Sequence, residues 1–221
     1  MRPVRGVLFD FGHTLFDTAS SVDFIVQWTT NHGRPLNVAD ASELWEAARA
    51  ASRTPAEIAK GRDRSAALHA MCWLDLWAEL DAECPGVAAA LYDHETGPLG
   101  WSPYSDVPRV MAELAAMGVK MAVVSDVAFD LRVLCRYHGI DQFVDAYVLS
   151  YERGSIKPDG LLFAQACDEL GVGMDEALMV GDNPANDGAG APAGVRTLLL
   201  PMVPSGQPRG LDIVVHLARG T

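Results

Sequence analysis

The sequence has few basic residues for its number of acids. Its 17 lysines and arginines stand against 29 aspartates and glutamates, which gives a formal net charge of −12 at pH 7. Binding to a nucleic-acid backbone needs a basic face, and binding to an anionic membrane needs a basic cluster. The charge balance therefore argues against both partners. Because no apolar run reaches ~20 residues, we also expect no segment that crosses a bilayer.

Cysteines are also few, and they do not form a redox or metal motif. None of the four stands in a Cys-x-x-Cys arrangement; they are Cys72, Cys84, Cys135 and Cys167. We interpret them as small buried thiols in a reducing compartment rather than as disulfide partners. The chain enters its first predicted strand almost at once, so we expect no signal peptide and a cytoplasmic location.

Apolar residues are plentiful, at 49% of 221 residues, which is enough for one domain or for one domain with an insertion. The first apolar run, Val7–Phe9, ends in Asp10 and a turn that contains Gly12. An uninterrupted apolar run before such a turn is typical of a strand buried in a parallel sheet. A carboxylate at the carboxyl end of that strand lies where open α/β sheets bind their ligands.

Three later stretches end in the same way, with polar residues directly after an apolar run or in the loop that follows it. These polar residues are, in chain order, Ser125 and Asp126, then Lys157, then Asp182 and Asp187. Because the carboxyl ends of parallel strands meet at one edge of a sheet, we expect these side chains to lie close to Asp10.

A carboxylate, a hydroxyl, a lysine and paired acids, in this order, resemble the four motifs of the haloacid dehalogenase-like hydrolase superfamily. The resemblance covers most of the chain outside residues 17–96. It implies that Asp10 is a nucleophile that forms an aspartyl-phosphate. It also implies that Ser125 and Lys157 are catalytic and hold the phosphoryl oxygens, with Asp126 beside them in the phosphate site. The implied substrate is a small phosphorylated metabolite.

The same resemblance implies a Mg²⁺ ion beside the nucleophile. Mg²⁺ prefers six oxygen ligands and keeps several waters. It reduces the repulsion between an attacking carboxylate and an anionic substrate. The ligands that the resemblance assigns are the carboxylates of Asp10 and Asp182, the backbone carbonyl of Gly12 and, through water, Asp187.

The alternation of strands and helices stops between residues 17 and 96, where the pattern is helical and no strand is predicted. We therefore predict an α/β fold with a Rossmann-like parallel-sheet core of residues 1–16 and 97–221 and an inserted all-helical cap of residues 17–96. Hinges near 16–20 and 95–101 would let the cap close over the strand ends, exclude water and select the substrate. We interpret the larger aromatic residues of the cap as core or surface rather than as substrate contacts: Trp45, Trp73, Trp77 and His69.

Strand and helix patterns alternate again after the cap. Helices are predicted over 106–117, 129–138 and 160–170. The predicted strands of this part are 119–125, 146–149, 177–181, 196–200 and 212–215. Strands separated by helices imply a parallel sheet with right-handed crossovers.

The sequence departs from the resemblance at Gly12, where most phosphatases of the superfamily carry a second aspartate that protonates the leaving group. Losing a general acid–base typically lowers the rate by ~10²–10⁴. One explanation is that the substrate is an acyl or aryl phosphate, whose leaving group needs little protonation. Another is that a different acid replaces the missing aspartate, with His13 and Asp126 as candidates. A third alternative is a degenerate member that binds a phosphorylated ligand with little turnover. The glycine also permits an unusual backbone turn. We interpret Asp126, from its position alone, as a cap of the following helix.

The dehalogenase branch of the superfamily is a further alternative, because it also lacks the second aspartate. That branch displaces halide from carbon without a metal, and its acidic motif is reduced. Asp182 and Asp187 are retained in this sequence. Their presence favours a Mg²⁺-dependent phosphatase over a 2-haloacid dehalogenase, and we expect such an enzyme to be a monomer or a homodimer.

Overall fold

Seven strands occur in the part of the chain that the computed structural model describes, residues 2–204 and 206–220. They are β1 Gly6–Phe9, β2 Phe16–Thr18, β3 Trp101–Pro103, β4 Lys120–Ser125, β5 Ala146–Leu149, β6 Ala177–Gly181 and β7 Arg196–Leu199. Five of them form one parallel sheet in the order β5-β4-β1-β6-β7. This sheet confirms the predicted α/β class. β1 is the central strand, with Phe9 opposite Val123 of β4 and Val180 of β6.

Eleven α-helices accompany the strands in the described residues. They are α1 Ser21–Asn31, α2 Val38–Ser52, α3 Pro55–Ala59, α4 Ala66–Leu76, α5 Ala78–Glu83, α6 Val87–Thr96, α7 Val107–Ala116, α8 Leu131–Tyr137, α9 Ser150–Arg153, α10 Leu161–Leu170 and α11 Asp212–Arg219. Side chains of β1 alternate between the two faces of the sheet. Phe9 packs in one core cluster with α7, α8 and α11, whereas Leu8 packs in a second cluster with α10. Helices therefore cover both faces, and only the strand ends are left to form a site.

Residues 212–215, which were predicted as a strand, instead begin helix α11. Leu211, Val214 and Val215 are buried, whereas Ile213 is 41% exposed. This spacing of three and four residues is helical, and an apolar run as short as Ile213–Val215 does not separate a strand from a helix. The strand prediction is wrong: α11 packs against α7, and β7 is the edge strand of the sheet.

Helices α1 to α6, which we call the helical insert (residues 21–96), contain a core cluster of their own. Ile25 of α1 and Leu91 of α6 are completely buried in it, and Trp77 and Leu80 are each 2% exposed. A separate cluster of buried apolar residues lets a segment hold its shape without sharing the core of the sheet.

The two connections between the helical insert and the sheet pair with each other. β2 and β3 are antiparallel, with Phe16 opposite Pro103 and Thr18 opposite Trp101, in a two-stranded sheet separate from the main one. The prediction of no strand after residue 16 is therefore wrong at Asp17 and Thr18. A strand of three residues is too short for its periodicity to be detected.

All four cysteines are buried and free, as predicted. Among the residues described, the helices are too short or too polar for any of them to traverse a bilayer.

Candidate active site

The residues predicted from the strand ends line one cavity at the carboxyl edge of the sheet. Asp10 follows β1, Ser125 ends β4 and Asp182 follows β6, while Lys157 begins a 3₁₀ turn between β5 and α10. The cavity has a volume of about 290 Å³, and the predicted residues that line it are Asp10, Gly12, His13, Ser125, Asp126, Lys157, Asp182 and Asp187. The fold thus brings together side chains that are up to 177 positions apart, counted from Asp10 to Asp187.

Lys157 is the buried cation of this cavity. Its Nζ lies 2.5 Å from Asp10 Oδ1 and 2.5 Å from Asp187 Oδ1, and its side chain is 3% exposed. Burial lowers the pKa of Lys157, but the Asp10 and Asp187 carboxylates outweigh that effect and raise the pKa above its ordinary value. Lys157 is therefore an ammonium at neutral pH, and it fixes the orientation of Asp10.

Asp10 is buried, with 7% of its surface exposed, and its carboxyl group is hard to ionise. Burial raises the pKa of Asp10 to about 7; Lys157 acts in the opposite direction, and Asp187 and Asp182 add to the rise. Asp10 Oδ2, unlike Oδ1, accepts no hydrogen bond from residues 2–204 or 206–220. That oxygen is left for a ligand.

Asp187 organises the loop after β6. It is completely buried, and its Oδ2 accepts hydrogen bonds from the backbone N–H groups of Asp182 at 3.0 Å and Asn183 at 2.9 Å. Gly181 permits this arrangement, because a Cβ there would overlap the Asp187 carboxylate. Both Asp187 oxygens are thus used by protein donors, one by these N–H groups and one by Lys157.

Asp126 holds the turn of Lys157 in place. Its Oδ1 accepts a hydrogen bond from the backbone N–H of Lys157 at 2.8 Å. It does not cap the next helix, as was predicted as an alternative; Asp130 is the N-cap of α8 and accepts a hydrogen bond from Arg132 N at 3.0 Å. The capping prediction failed because two aspartates precede α8, and only the second is at its first turn.

The turn after Asp10 takes its unusual backbone from His13 rather than from Gly12. His13 has φ of 57° and is the one non-glycine residue with positive φ in the described chain, whereas Gly12 has an ordinary φ. His13 lines the cavity, and its Nδ1 is buried 3.9 Å from Asp17 Oδ1. A Cβ at position 12 would meet the Trp101 ring at 3.5 Å, an ordinary contact. The glycine is therefore not required by the fold.

The helical insert contributes Asp63 and His69 to the cavity, and neither was predicted. The backbone carbonyl of Asp63 accepts a hydrogen bond from Ser150 Oγ at 2.6 Å, and Arg64 bonds to Asp159 at 3.2 Å. These contacts attach the insert beside the turn of Lys157. Burial raises the pKa of Asp63 to about 6. No sequence pattern marked Asp63, because its position depends on how the insert docks.

Arg209 was also missed, because it lies in a Pro- and Gly-rich loop with no periodic pattern. Its side chain is fully buried. It donates from Nε to the carbonyl of His13 at 2.6 Å and from Nη2 to the carbonyl of Leu200 at 3.1 Å. Arg209 therefore holds the turn after β1 against the loop after β7.

Negative charge exceeds positive charge in the cavity. Burial is the largest cause of a raised pKa for Asp126 and Asp182 as well as for Asp10, and the Lys157 ammonium pairs directly with Asp10 and Asp187. Carboxylate oxygens of Asp10, Asp182 and Asp187 lie within 4.8 Å of one another. Such a set suits a hard cation that prefers oxygen ligands, and the cation would relieve the repulsion between the acids.

Comparison with known proteins defines the class as hydrolase, because a hydrolase family model matches residues 4–194. The chain belongs to the haloacid dehalogenase-like hydrolases, which confirms the resemblance seen in its motifs. It is 27% identical over 195 residues to haloacid dehalogenase-like hydrolase domain-containing protein 3 of Danio rerio, with 84% of this chain and 79% of that protein covered.

Two further similarities carry more specific names. The chain is 37% identical over 113 residues to a glyceraldehyde 3-phosphate phosphatase of Methanopyrus kandleri, with 50% of this chain and 48% of the relative covered. A crystal structure of a dehalogenase with an intermediate complex superposes with a TM-score of 0.73 at 19% identity, with 98% of each chain covered. At that identity the likeness shows the fold alone. The matches span half or less of the length of five curated relatives.

Proposed function

We propose that this hydrolase is a Mg²⁺-dependent phosphatase that acts on a small phosphorylated metabolite through an aspartyl-phosphate intermediate. The observation that supports it most is the ion-paired cluster of Asp10, Lys157 and Asp187 with Asp182 beside it. A buried ammonium next to a carboxylate with one free oxygen suits attack on an anionic phosphoryl group.

Asp10 is the nucleophile in this proposal. Its free Oδ2 forms a bond to phosphorus, and the bond from phosphorus to the leaving oxygen breaks, with the electron pair going to that oxygen. Water then attacks the aspartyl-phosphate, restoring the Asp10 carboxylate and releasing phosphate. Lys157 and the Ser125 hydroxyl bind the phosphoryl oxygens. The Asp126 carboxylate positions Lys157 by accepting a hydrogen bond from the Lys157 backbone N–H.

The residues present fit a Mg²⁺ ion. Asp10 and Asp182 offer carboxylate oxygens, and Gly12, whose carbonyl the resemblance assigns as a ligand, lines the same cavity. Asp187 has both oxygens engaged by protein donors, so it would hold the ion through water, as the resemblance implied. When bound, the ion supplies positive charge that reduces the repulsion between the Asp10 carboxylate and the substrate phosphate.

The helical insert serves as a cap in this proposal, with residues 1–16 and 97–221 as the catalytic core and residues 17–96 as the cap. The pairing of β2 with β3 joins both connections into one ribbon, which would make the two segments move together. Asp63 and His69 line the cavity from the cap side, so closure would remove water from the strand ends.

Haloacid dehalogenation is the second candidate, favoured by Gly12. Retention of Asp182 and Asp187 in one acidic cluster favours the phosphatase. A screen of phosphorylated metabolites and 2-haloacids, with and without Mg²⁺, separates the two when phosphate and halide release are both measured. We expect Mg²⁺-dependent phosphate release; halide release alone, or tight binding without any product, would contradict the proposal.

Divalent-metal binding should depend strongly on Asp182. The Asp182 carboxylate accepts no hydrogen bond from the described residues, so removing it takes away an ion ligand without breaking a protein contact. We expect Asp182→Ala to weaken Mg²⁺ binding by about 10-fold or more in calorimetry. Asp168→Ala, an exposed acid on α10, is the matched control. Equal affinity in both variants would place the ion elsewhere.

A further inference from the structure

A second cavity of about 200 Å³ adjoins the candidate active site. Six aromatic side chains line it: Trp45, Trp73, Trp77, Tyr92, Trp101 and Phe129. His69, Trp101 and Phe129 line both cavities and form the boundary between them. The polar cavity at the strand ends therefore has an aromatic neighbour on the side of the helical insert.

The His69 ring is held in one arrangement and is itself uncharged at neutral pH. Trp73 Nε1 donates to His69 Nε2 at 3.0 Å, and His69 Nδ1 lies 2.9 Å from the Tyr92 hydroxyl oxygen. Burial, with a smaller effect of Arg62, lowers the pKa of His69 to about 4. Both ring nitrogens are engaged and the ring is neutral, so His69 is a wall residue rather than a proton donor.

The indole rings present flat, preorganised faces. Trp77 stacks on Trp73 with centroids 5.1 Å apart and on Trp45 with centroids 6.0 Å apart. Trp101 donates its Nε1–H to the carbonyl of Glu95 at 2.7 Å. Aromatic faces held in this way favour stacked or edge-on contact with another ring.

Most polar groups of this cavity already make hydrogen bonds within the protein, which disfavours a polyol as the ligand. Thr96 Oγ1 donates to the carbonyl of Tyr92 at 2.8 Å, and Glu95 accepts from Ser21 Oγ at 2.5 Å. Hydroxyl groups of a sugar would be buried there without partners, at a cost in free energy. The Glu95 carboxyl also disfavours a ligand with a negative charge at this end. Trp77 Nε1 is buried and has no partner among the described residues, so one acceptor on a ligand would satisfy it.

We propose that the aromatic cavity binds the leaving group of the substrate, and that the substrates are phosphate monoesters of uncharged phenols. This inference rests on the proposed phosphatase function. The volume of the cavity, about 200 Å³, suits one aromatic ring, since an apolar cavity of about 150 Å³ holds a benzene molecule. Chemistry agrees independently: attack by Asp10 on phosphorus expels an aryloxide with the electron pair of the broken bond, and the aryloxide later takes a proton from water. That departure suits a site with glycine at position 12.

Binding of two phosphonates that cannot be hydrolysed tests the proposal without relying on turnover. Benzylphosphonate carries a ring, and methylphosphonate carries the same charged group without one. In calorimetry with saturating Mg²⁺, we expect the protein to bind benzylphosphonate about 10- to 100-fold more tightly, because only that ligand buries a ring. Trp45→Ala should reduce this preference to about threefold or less and leave methylphosphonate affinity unchanged.

Trp28→Ala is the matched control, because Trp28 is a half-buried tryptophan of the same insert that packs on His32 and does not line the cavity. It should keep the preference of the wild type. If Trp45→Ala does not fold, as judged by thermal melting, Phe129→Ala outside the insert replaces it and should lose the preference equally.

The outcomes separate this proposal from the proposed function. Equal affinity for the two phosphonates would overturn the aromatic leaving-group site and leave the phosphoryl site intact. A preference that survives both Trp45→Ala and Phe129→Ala would also overturn it, because the ring would then bind elsewhere. Binding of neither phosphonate would overturn the proposed phosphatase function itself.

Discussion

Asp10→Asn is expected to lower the hydrolysis rate by on the order of 10⁵-fold or more, the scale seen when a catalytic nucleophile is removed. The amide oxygen of asparagine is a poor nucleophile and carries no charge to form an acyl-phosphate bond. Steady-state phosphate release under saturating Mg²⁺ measures the loss. Asp168→Asn on the exposed face of α10 is the control and should keep the wild-type rate.

The fold should survive this substitution. The raised pKa of Asp10 means that its ionised form is disfavoured by burial, so a neutral side chain of the same shape removes that cost. Lys157 keeps its ion pair with Asp187 at 2.5 Å. We expect the melting temperature of Asp10→Asn to equal or exceed that of the wild type. Wild-type turnover in a folded Asp10→Asn protein would rule out the covalent mechanism.

Most of the parallel sheet could be predicted because β1, β5 and β6 are buried on both faces. β1 and β6 are completely apolar runs bounded by acids and glycine, and β5 matches its predicted bounds of 146–149. Residues 212–215 were misassigned because the three β-branched residues Ile213, Val214 and Val215 satisfy a strand and a helix equally. Packing of Val214 and Val215 decided between them.

The candidate site could be predicted wherever its residues follow a strand. Parallel strands deliver their carboxyl ends to one edge whatever their order in the sheet, so Asp10, Ser125 and Asp182 did not require the strand order to be known. Site residues that reach the cavity only because the helical insert docks on the sheet could not be predicted. Asp63 reaches the cavity because Ser150 binds its backbone carbonyl, and no local pattern contains that contact.

Gly12→Asp is expected to raise the rate for alkyl phosphates by about 10²–10⁴, the usual contribution of a general acid. Expelling an alkoxide requires a proton in the transition state, whereas expelling a carboxylate or an activated phenolate does not. The wild-type rate should therefore fall steeply as the pKa of the leaving group rises. The new aspartate should flatten that dependence and change the rate for aryl phosphates little.

The structure accommodates this substitution. Gly12 has an ordinary φ, and a Cβ there meets the Trp101 ring at 3.5 Å without overlap. The added anion lies near Asp10 and Asp182, whose pKa values are already raised, so Mg²⁺ affinity can change, and rates must be compared at saturating Mg²⁺. Gly12→Asn is the matched control: it has the same size but no acid, and it should keep the steep dependence of the wild type.

Equal wild-type rates for alkyl and aryl phosphates would show that another residue already supplies the proton. His13 is then the first candidate, because its ring lines the cavity directly after Gly12. Its Nδ1 is buried 3.9 Å from Asp17 Oδ1 and makes no hydrogen bond within the described residues. In that case His13→Ala should reduce the rates for alkyl phosphates selectively, because only a leaving group of high pKa depends on the donated proton.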